Sequence, residues 1–200
     1  MPLGGGQDLL ARMKDYVTET DRIVNVKNAL DGTVAAAPGG GVRIGAAVRM
    51  ADLAVDPQVT RLYPAIAAAA IEVGTPQIRN QGTVGGNLNQ RPRCWYFRNE
   101  EFVCFKKGGN QCFSPAGENQ FHAIFGSGPS FIVHPSSLAV PMVAYGATFR
   151  LLGPKGERMV PAAEAALRDA RPLSQNAYKI QVAKTAVKRA ILRAGGATFA

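Results

Sequence analysis

Cysteine is scarce and oddly numbered here: three residues in 200, all between positions 94 and 112. A secreted disulfide framework needs an even set, so this cluster points to metal binding, catalysis or buried thiols. Histidine is scarcer still, with only His122 and His134. Each reads as a structural hydrogen-bonder. No carboxylate pair, Ser-His-Asp arrangement or H-E-x-x-H motif suggests hydrolysis. No apolar run approaches the ~18–20 residues needed to cross a bilayer. The opening MPLGGGQDLL lacks a basic region followed by an apolar one, so no export signal is expected from it. With 46 % hydrophobic and 18 % charged residues, a disordered, collagen-like or acidic-tail chain is excluded.

Acidic residues are also few, 14 against 23 Lys and Arg, for a net charge of +9. That balance favours anionic partners such as phosphates, acidic proteins or nucleic acid. The basic residues are scattered except over Arg79 to Lys107 and Lys179 to Arg193. The second stretch reads as a solvated helix face.

Glycine is abundant at 22. Gly4-Gly5-Gly6 precedes a helical pattern in Leu9, Leu10, Met13 and Val17, with Asp8 in its first turn. No strand is expected before this loop. RIVNV at 22–26 reads as a strand. Residues 33–37 and 42–46 read as a strand pair across Pro38-Gly39-Gly40-Gly41. Asp56-Pro57 is an N-cap and first-turn pair for a helix running to Gly74, with Pro64 as a kink or a true start. From Thr75 to Pro135 no period persists, and an irregular stretch this long is usually functional. Leu138–Ala144 reads as a helix or a buried strand. Ala147–Leu152 reads as a strand leading into a Gly153–Gly156 turn, and 162–194 as two helical patterns broken at Arg171–Ser174.

Consecutive glycines can turn their N–H groups toward an anion, so Gly4-Gly5-Gly6-Gln7-Asp8 is one candidate cradle. The run Ile78-Arg79-Asn80-Gln81-Gly82-Thr83-Val84-Gly85-Gly86-Asn87-Leu88 is a second. Its three glycines permit positive φ and close backbone approach. Arg79 offers charge, and Thr83 and Asn87 offer hydrogen bonds, a combination suited to a pyrophosphate. A plain tight turn fits as well.

The pattern G-G-x-D-L-L at 5–10, the eleven residues 78–88 and H-P-S-x-L-A at 134–139 resemble the FAD-binding subunit of molybdenum hydroxylases. This is the xanthine dehydrogenase and aldehyde oxidoreductase family, with a PCMH-type FAD domain. The resemblance covers roughly residues 3–160 and implies an α+β fold of two small α/β subdomains. An irregular Cys-containing insertion interrupts them, and a helical tail follows. It divides the chain into 1–56, carrying the first flavin loop, 57–160, with the insertion at about 90–130, and 161–200. It implies FAD held by Gly4, Gly5, Gly6, Gln7 and Asp8 in the first loop. Arg79, Asn80, Gly82, Thr83, Val84, Gly85, Gly86 and Asn87 would hold it in the second, with main-chain N–H groups on the diphosphate. No catalytic acid or base is implied.

Thiolates near Arg91, Arg93, Arg98, Lys106 and Lys107 are expected to have lowered pKa values, which suits metal ligation. Aromatic neighbours Trp95, Tyr96, Phe97, Phe102, Phe105 and Phe113 supply the apolar shell of an iron–sulfur site, though three buried structural thiols fit the spacing too. The absence of C-x-x-C disfavours a zinc ribbon. R-P-R-C-W-Y-F-R at 91–98 and the loop through Gly117-Glu118-Asn119 resemble the insertion of the bacterial aldehyde-oxidoreductase branch. That resemblance implies an additional [4Fe–4S] cluster on Cys94, Cys104 and Cys112, with Ser130 at the position of the fourth Cys; Ser130, water or His122 would complete the set, or the cluster is labile or absent. Ser137 stands where the family carries an acidic residue that contacts the cofactor.

The implied partners are a molybdenum-cofactor subunit and a [2Fe–2S] subunit, with electrons passing through FAD to an acceptor. The expected location is the cytoplasm, or the periplasm by co-export with a signal-bearing partner. Val160-Pro161 runs directly into segments that the family holds far apart, so the sequence reads as a shortened member. Two other readings use the same residues: a non-catalytic fragment that docks to partner subunits, and a metal-stabilised nucleic-acid module.

Overall fold

The computed structural model describes residues 1–123 and 129–161. The helical patterns expected over 162–194 lie outside them. Strand β1 (Pro2–Leu3) pairs in parallel with β2 (Val24–Asn25), and helix α1 (Leu9–Lys14) lies on the crossover between them. A strand therefore does precede the first glycine loop, against the sequence expectation. Two residues are too few to display an alternating period. β3 (Val34–Ala36) and β4 (Val42–Ile44) pair antiparallel as expected. Gly39, Gly40 and Gly41 between them all have positive φ, at 85°, 99° and 85°.

The core is helical. Asp56 Oδ1 accepts from the amides of Gln58 and Val59 at 2.9 and 3.0 Å. It thereby caps α3 (Pro57–Leu62). Pro64 lacks the N–H that would continue α3, so it opens a separate helix, α4 (Pro64–Ile71). These two pack with α2 (Met50–Val55) and α8 (Ala139–Ala144). Val48, Met50, Leu53, Val59, Ile66, Ala67, Ala70, Val84, Leu138 and Met142 form one buried cluster. Residues on both sides of position 56 contribute to it. Burying a side chain such as Leu53 or Met50 stabilises by roughly 1.5–3 kcal/mol.

The stretch expected to be irregular contains α5 (Pro76–Gln81), α6 (Val84–Leu88) and α7 (Trp95–Arg98). Local caps support the first two: Thr75 Oγ1 accepts from Ile78 N, and Thr83 Oγ1 from Gly86 N. From Asn99 to Pro135 the described residues hold only two 3-10 turns. β5 (Thr148–Gly153) and β6 (Gly156–Pro161) close an antiparallel hairpin through the expected turn. Among the described residues no helix is long and apolar enough to cross a membrane.

Candidate functional site

The two glycine loops meet. A Cβ on Gly5 would lie 2.2 Å from the Gln81 carbonyl oxygen, and one on Gly4 would lie 2.9 Å from Thr83 Oγ1. Glycine is required there because one backbone passes directly against the other. Gly6 has φ of 76°, so it turns the chain into α1.

In the second loop the glycines serve approach rather than positive φ. Gly82, Gly85 and Gly86 all lie outside the positive-φ set. A Cβ on Gly85 would lie 3.0 Å from both the Cβ and the carbonyl oxygen of Ala46. The loop's amides are committed inside the chain. Val84 N donates to Val48 O at 2.9 Å, Gly85 N to Ala46 O at 2.8 Å and Asn87 N to Thr83 O at 2.8 Å. Gly86 N donates to Thr83 Oγ1 at 3.1 Å. These four are therefore not diphosphate donors in this conformation, contrary to the expectation. The first loop differs, because the amides of Gly5, Gly6 and Gln7 donate to no acceptor among the described residues.

Several other expected cofactor contacts are also engaged within the chain. Arg79 donates through Nη1 to the carbonyls of Val73 and Gly74, at 3.3 and 3.0 Å. It closes the α4–α5 turn instead of facing a ligand. Asn87 Oδ1 accepts from Ser136 Oγ at 2.6 Å, and Ser136 Oγ accepts from Ala139 N. That pair joins the second loop to the H-P-S segment and α8. Asn80 and Ser137 are exposed. His134 Nδ1 accepts from Ser136 N at 3.4 Å.

Asp8 accepts from Arg98 Nη2 at 2.5 Å and from Arg91 N at 3.0 Å. Arg12 Nε lies 3.2 Å away and Arg93 Nη2 3.9 Å away. Arg12 Nε, though close in charge, makes no hydrogen bond. Burial alone would raise the Asp8 carboxyl. The Arg98 hydrogen bond, the Arg91 amide and the charges of Arg98 and Arg12 outweigh it and hold the group below its ordinary range. One carboxylate among three guanidinium groups leaves a positive surplus beside the free amides.

The cysteine segment converges as well. Cys94, Cys104, Cys112 and Ser130 line one cavity of about 10 Å³, walled by Tyr96, Phe97, Phe113 and Ile132. All three thiols are free. Their acidities differ. Burial pushes Cys94 up, although the amides of Phe97 and Tyr96 oppose it, so the expected lowering fails there. The Arg91 and Arg98 guanidinium groups sit over the Phe97 ring, at 5.4 and 5.7 Å from its centroid. Cys112 is lowered as expected. Burial is its largest influence and raises it, but the Ser114 hydroxyl, the amides of Phe131 and Ser114 and the Lys106 charge prevail. His122 Nε2 lies 3.2 Å from Cys94 Sγ, and its Nδ1 is buried without a hydrogen bond. Sequence reasoning read this histidine as a structural hydrogen-bonder, with the fourth cluster position as the alternative.

No three Cys, His, Asp or Glu among the described residues stand close enough to hold a single metal ion. A polynuclear cluster spaces its protein ligands more widely than one ion does. Three thiols line one apolar-walled cavity and are the donor type of an iron–sulfur centre, but at about 10 Å³ that cavity has room for about one water and would have to widen to receive a cluster.

The chain belongs to the family described as the FAD binding domain in molybdopterin dehydrogenase, which matches residues 1–177. It is 34 % identical over 157 residues to the aldehyde oxidoreductase FAD-binding subunit PaoB of Escherichia coli K12, covering 78 % of this chain and 49 % of that one. It is 37 % identical over 87 residues to the putative xanthine dehydrogenase FAD-binding subunit XdhB of the same organism, covering 43 % of this chain and 30 % of the relative. The fold resembles that of carbon monoxide dehydrogenase from Hydrogenophaga pseudoflava, with a TM-score of 0.54 at 24 % identity over 84 % of this chain and 44 % of that one. Quinoline 2-oxidoreductase from Pseudomonas putida 86 gives 0.55 at 19 % identity over 82 % and 43 %. The chain thus spans at most about half the length of these relatives. Membership of this FAD-binding domain family accords with the mixed helix-and-strand architecture.

Proposed function

We propose that this protein is an electron-transfer flavoprotein subunit of a molybdenum-containing oxidoreductase of the aldehyde or xanthine type. Its partners are a molybdenum-cofactor subunit and a [2Fe–2S] subunit. The observation that carries this reading is the meeting of the two glycine loops, where Gly5 packs on Gln81–Gly82 beside unengaged amides. FAD, when bound, supplies the redox chemistry, taking electrons in and passing them on. The chain's own task is placement. The amides of Gly5, Gly6 and Gln7 offer donors for a diphosphate. The surplus of Arg12, Arg93 and Arg98 over Asp8 favours its negative charge. Thr83 caps α6 and Asn87 bonds to Ser136, so the second loop is fixed at its own helix and to the H-P-S segment. We further propose that Cys94, Cys104 and Cys112, with Ser130, receive a [4Fe–4S] cluster in the aromatic-walled cavity.

The test is a visible absorption spectrum of anaerobically purified protein, with flavin and iron assays. The expected result is bound FAD, or its stoichiometric uptake from solution, together with iron and acid-labile sulfide. A colourless, iron-free protein that also refuses added FAD would overturn the reading.

A further inference from the structure

Asp8 lies in the first glycine loop at the N-cap of α1, yet its side chain makes no capping hydrogen bond. Its carboxylate instead reaches across to residues 91–98, more than 80 positions away. Oδ1 accepts from Arg98 Nη2 and Oδ2 from Arg91 N. Arg98 in turn donates through Nε to Pro92 O at 2.8 Å and through Nη2 to Arg91 O at 3.0 Å. Its own amide donates to Cys94 O at 2.9 Å. Arg91 Nη2 donates to Lys106 O at 3.0 Å, and Lys106 lines the cysteine cavity. Both guanidinium groups lie over Phe97, which is 3 % exposed and packs with Cys94 and Cys104. The Asp8 and Arg98 side chains are themselves only 13 % and 14 % exposed. A charge-assisted contact so shielded is stronger and stiffer than a surface pair.

We propose that Asp8 is a positioning residue for the cysteine cavity: its carboxylate clasps residues 91–98 to the first glycine loop, so that a ligand on that loop and access to Cys94 and Cys104 are coupled. A diphosphate held by the loop immobilises Gly4–Asp8 and with it the clasp, which keeps the cavity wall closed. Coupling of this kind is reciprocal, so filling the cavity tightens the loop's ligand by the same factor. The clasp itself rests on contacts in the protein alone, while its ligand arm rests on the flavin reading above.

The experiment follows thiol labelling of the full metal-free chain, resolved by residue with mass spectrometry, with and without FAD. In the wild type, FAD is expected to slow labelling of Cys94 and Cys104 about tenfold, a coupling typical in size. Asp8→Asn is expected to raise their labelling without FAD and, at FAD concentrations raised until its absorbance shows the site filled, to abolish the FAD-dependent protection. Asp8→Asn protein that labels at the wild-type rate would overturn the clasp. So would FAD protection that persists unchanged in the variant. Should Asp8→Asn fail to fold, Arg98→Lys removes the guanidinium fork but keeps the charge, and the same two readings apply. If the wild type takes up no FAD, the flavin reading falls, and labelling of the variant without FAD still decides the clasp.

Discussion

The glycine-loop region and the cysteine segment are built by opposite means. In the loops the backbone does the holding. Amides of Val84 and Gly85 reach carbonyls of a neighbouring segment, that of Asn87 closes α6 on Thr83, and Gly5 lets two segments touch. In the segment from Pro92 to Ile132, side chains do most of it. Tyr96, Phe102 and Phe113 form a ring cluster with centroids 5.0, 5.9 and 5.1 Å apart, and among the described residues regular structure is limited to α7 and two 3-10 turns. Backbone ladders hold one geometry whether or not a ligand is present. A loop kept by aromatic contacts and free thiols opens at lower cost. The first region is suited to hold a cofactor in one place, and the second to admit one.

The sharpest way to break this contrast is to put a methyl group where each backbone has no room. Gly5→Ala places a Cβ 2.2 Å from Gln81 O, and Gln81 is tied to the core helices through α5. Global stability in urea is expected to fall by about 3 kcal/mol, the upper end for overpacking. Gly109→Ala meets Val103 O even more closely, at 1.8 Å. That clash lies in the side-chain-held segment, so the smaller drop in the urea midpoint belongs to this variant, together with faster labelling of Cys104. Equal drops in both would show that the two regions unfold as one unit.

Next in size is the bridge between the second loop and α8. Ser136 is 3 % exposed, and Ser136→Ala leaves Asn87 Oδ1 without its 2.6 Å donor. A loss of about 1–2 kcal/mol is expected in chemical denaturation, with weaker FAD uptake. A variant as stable as the wild type would mean that this bond does not position the loop.

Acid is a smaller and more selective probe. The Asp8 carboxyl is held below its ordinary value in the folded state. The stability it contributes is therefore fully present above the unfolded pKa, about 3.9. It is lost as pH falls through the lower, folded value. Between pH 7 and pH 5 this group should change nothing. Below about pH 4, the urea midpoint should fall in the wild type, while Asp8→Asn should lack that step. The same acid step in both proteins would assign the change to other carboxylates.

How much of this was legible in the sequence follows from where each signal sits. The Asp56-Pro57 cap, the Gly-rich turn between β3 and β4 and the β5–β6 turn are local, and each formed as read. Helix α2 was missed although it supplies Met50 and Leu53, both fully buried. Six residues hold too few turns to display a 3.6-residue period. The two glycine motifs were legible as residue patterns, but the identity of the free amides was not. That depends on whether Ala46 O and Val48 O stand opposite Gly85 and Val84. Arg79 was assigned to a ligand for its charge and Asp8 through the family resemblance, and both are engaged by carbonyls or cations placed there by folding. The gathering of Cys94, Cys104, Cys112 and Ser130 came from family resemblance rather than spacing, and the cavity places them together.

That last gathering offers the smallest structural change with a decisive readout. Ser130 lines the cavity with the three thiols, and a serine oxygen is a harder ligand for iron than a thiolate. Ser130→Cys alters one atom of the wall, so stability of the metal-free chain should stay within about 0.5 kcal/mol of the wild type. Iron retained after anaerobic reconstitution and desalting should rise, because a fourth thiolate replaces the weakest donor. Ser130→Ala removes the oxygen and should lower it. If neither substitution moves the iron content, position 130 has no part in the donor set. His122, whose Nε2 already lies beside Cys94 Sγ, then becomes the residue to replace, with His122→Ala and the same iron assay deciding whether the imidazole completes the set.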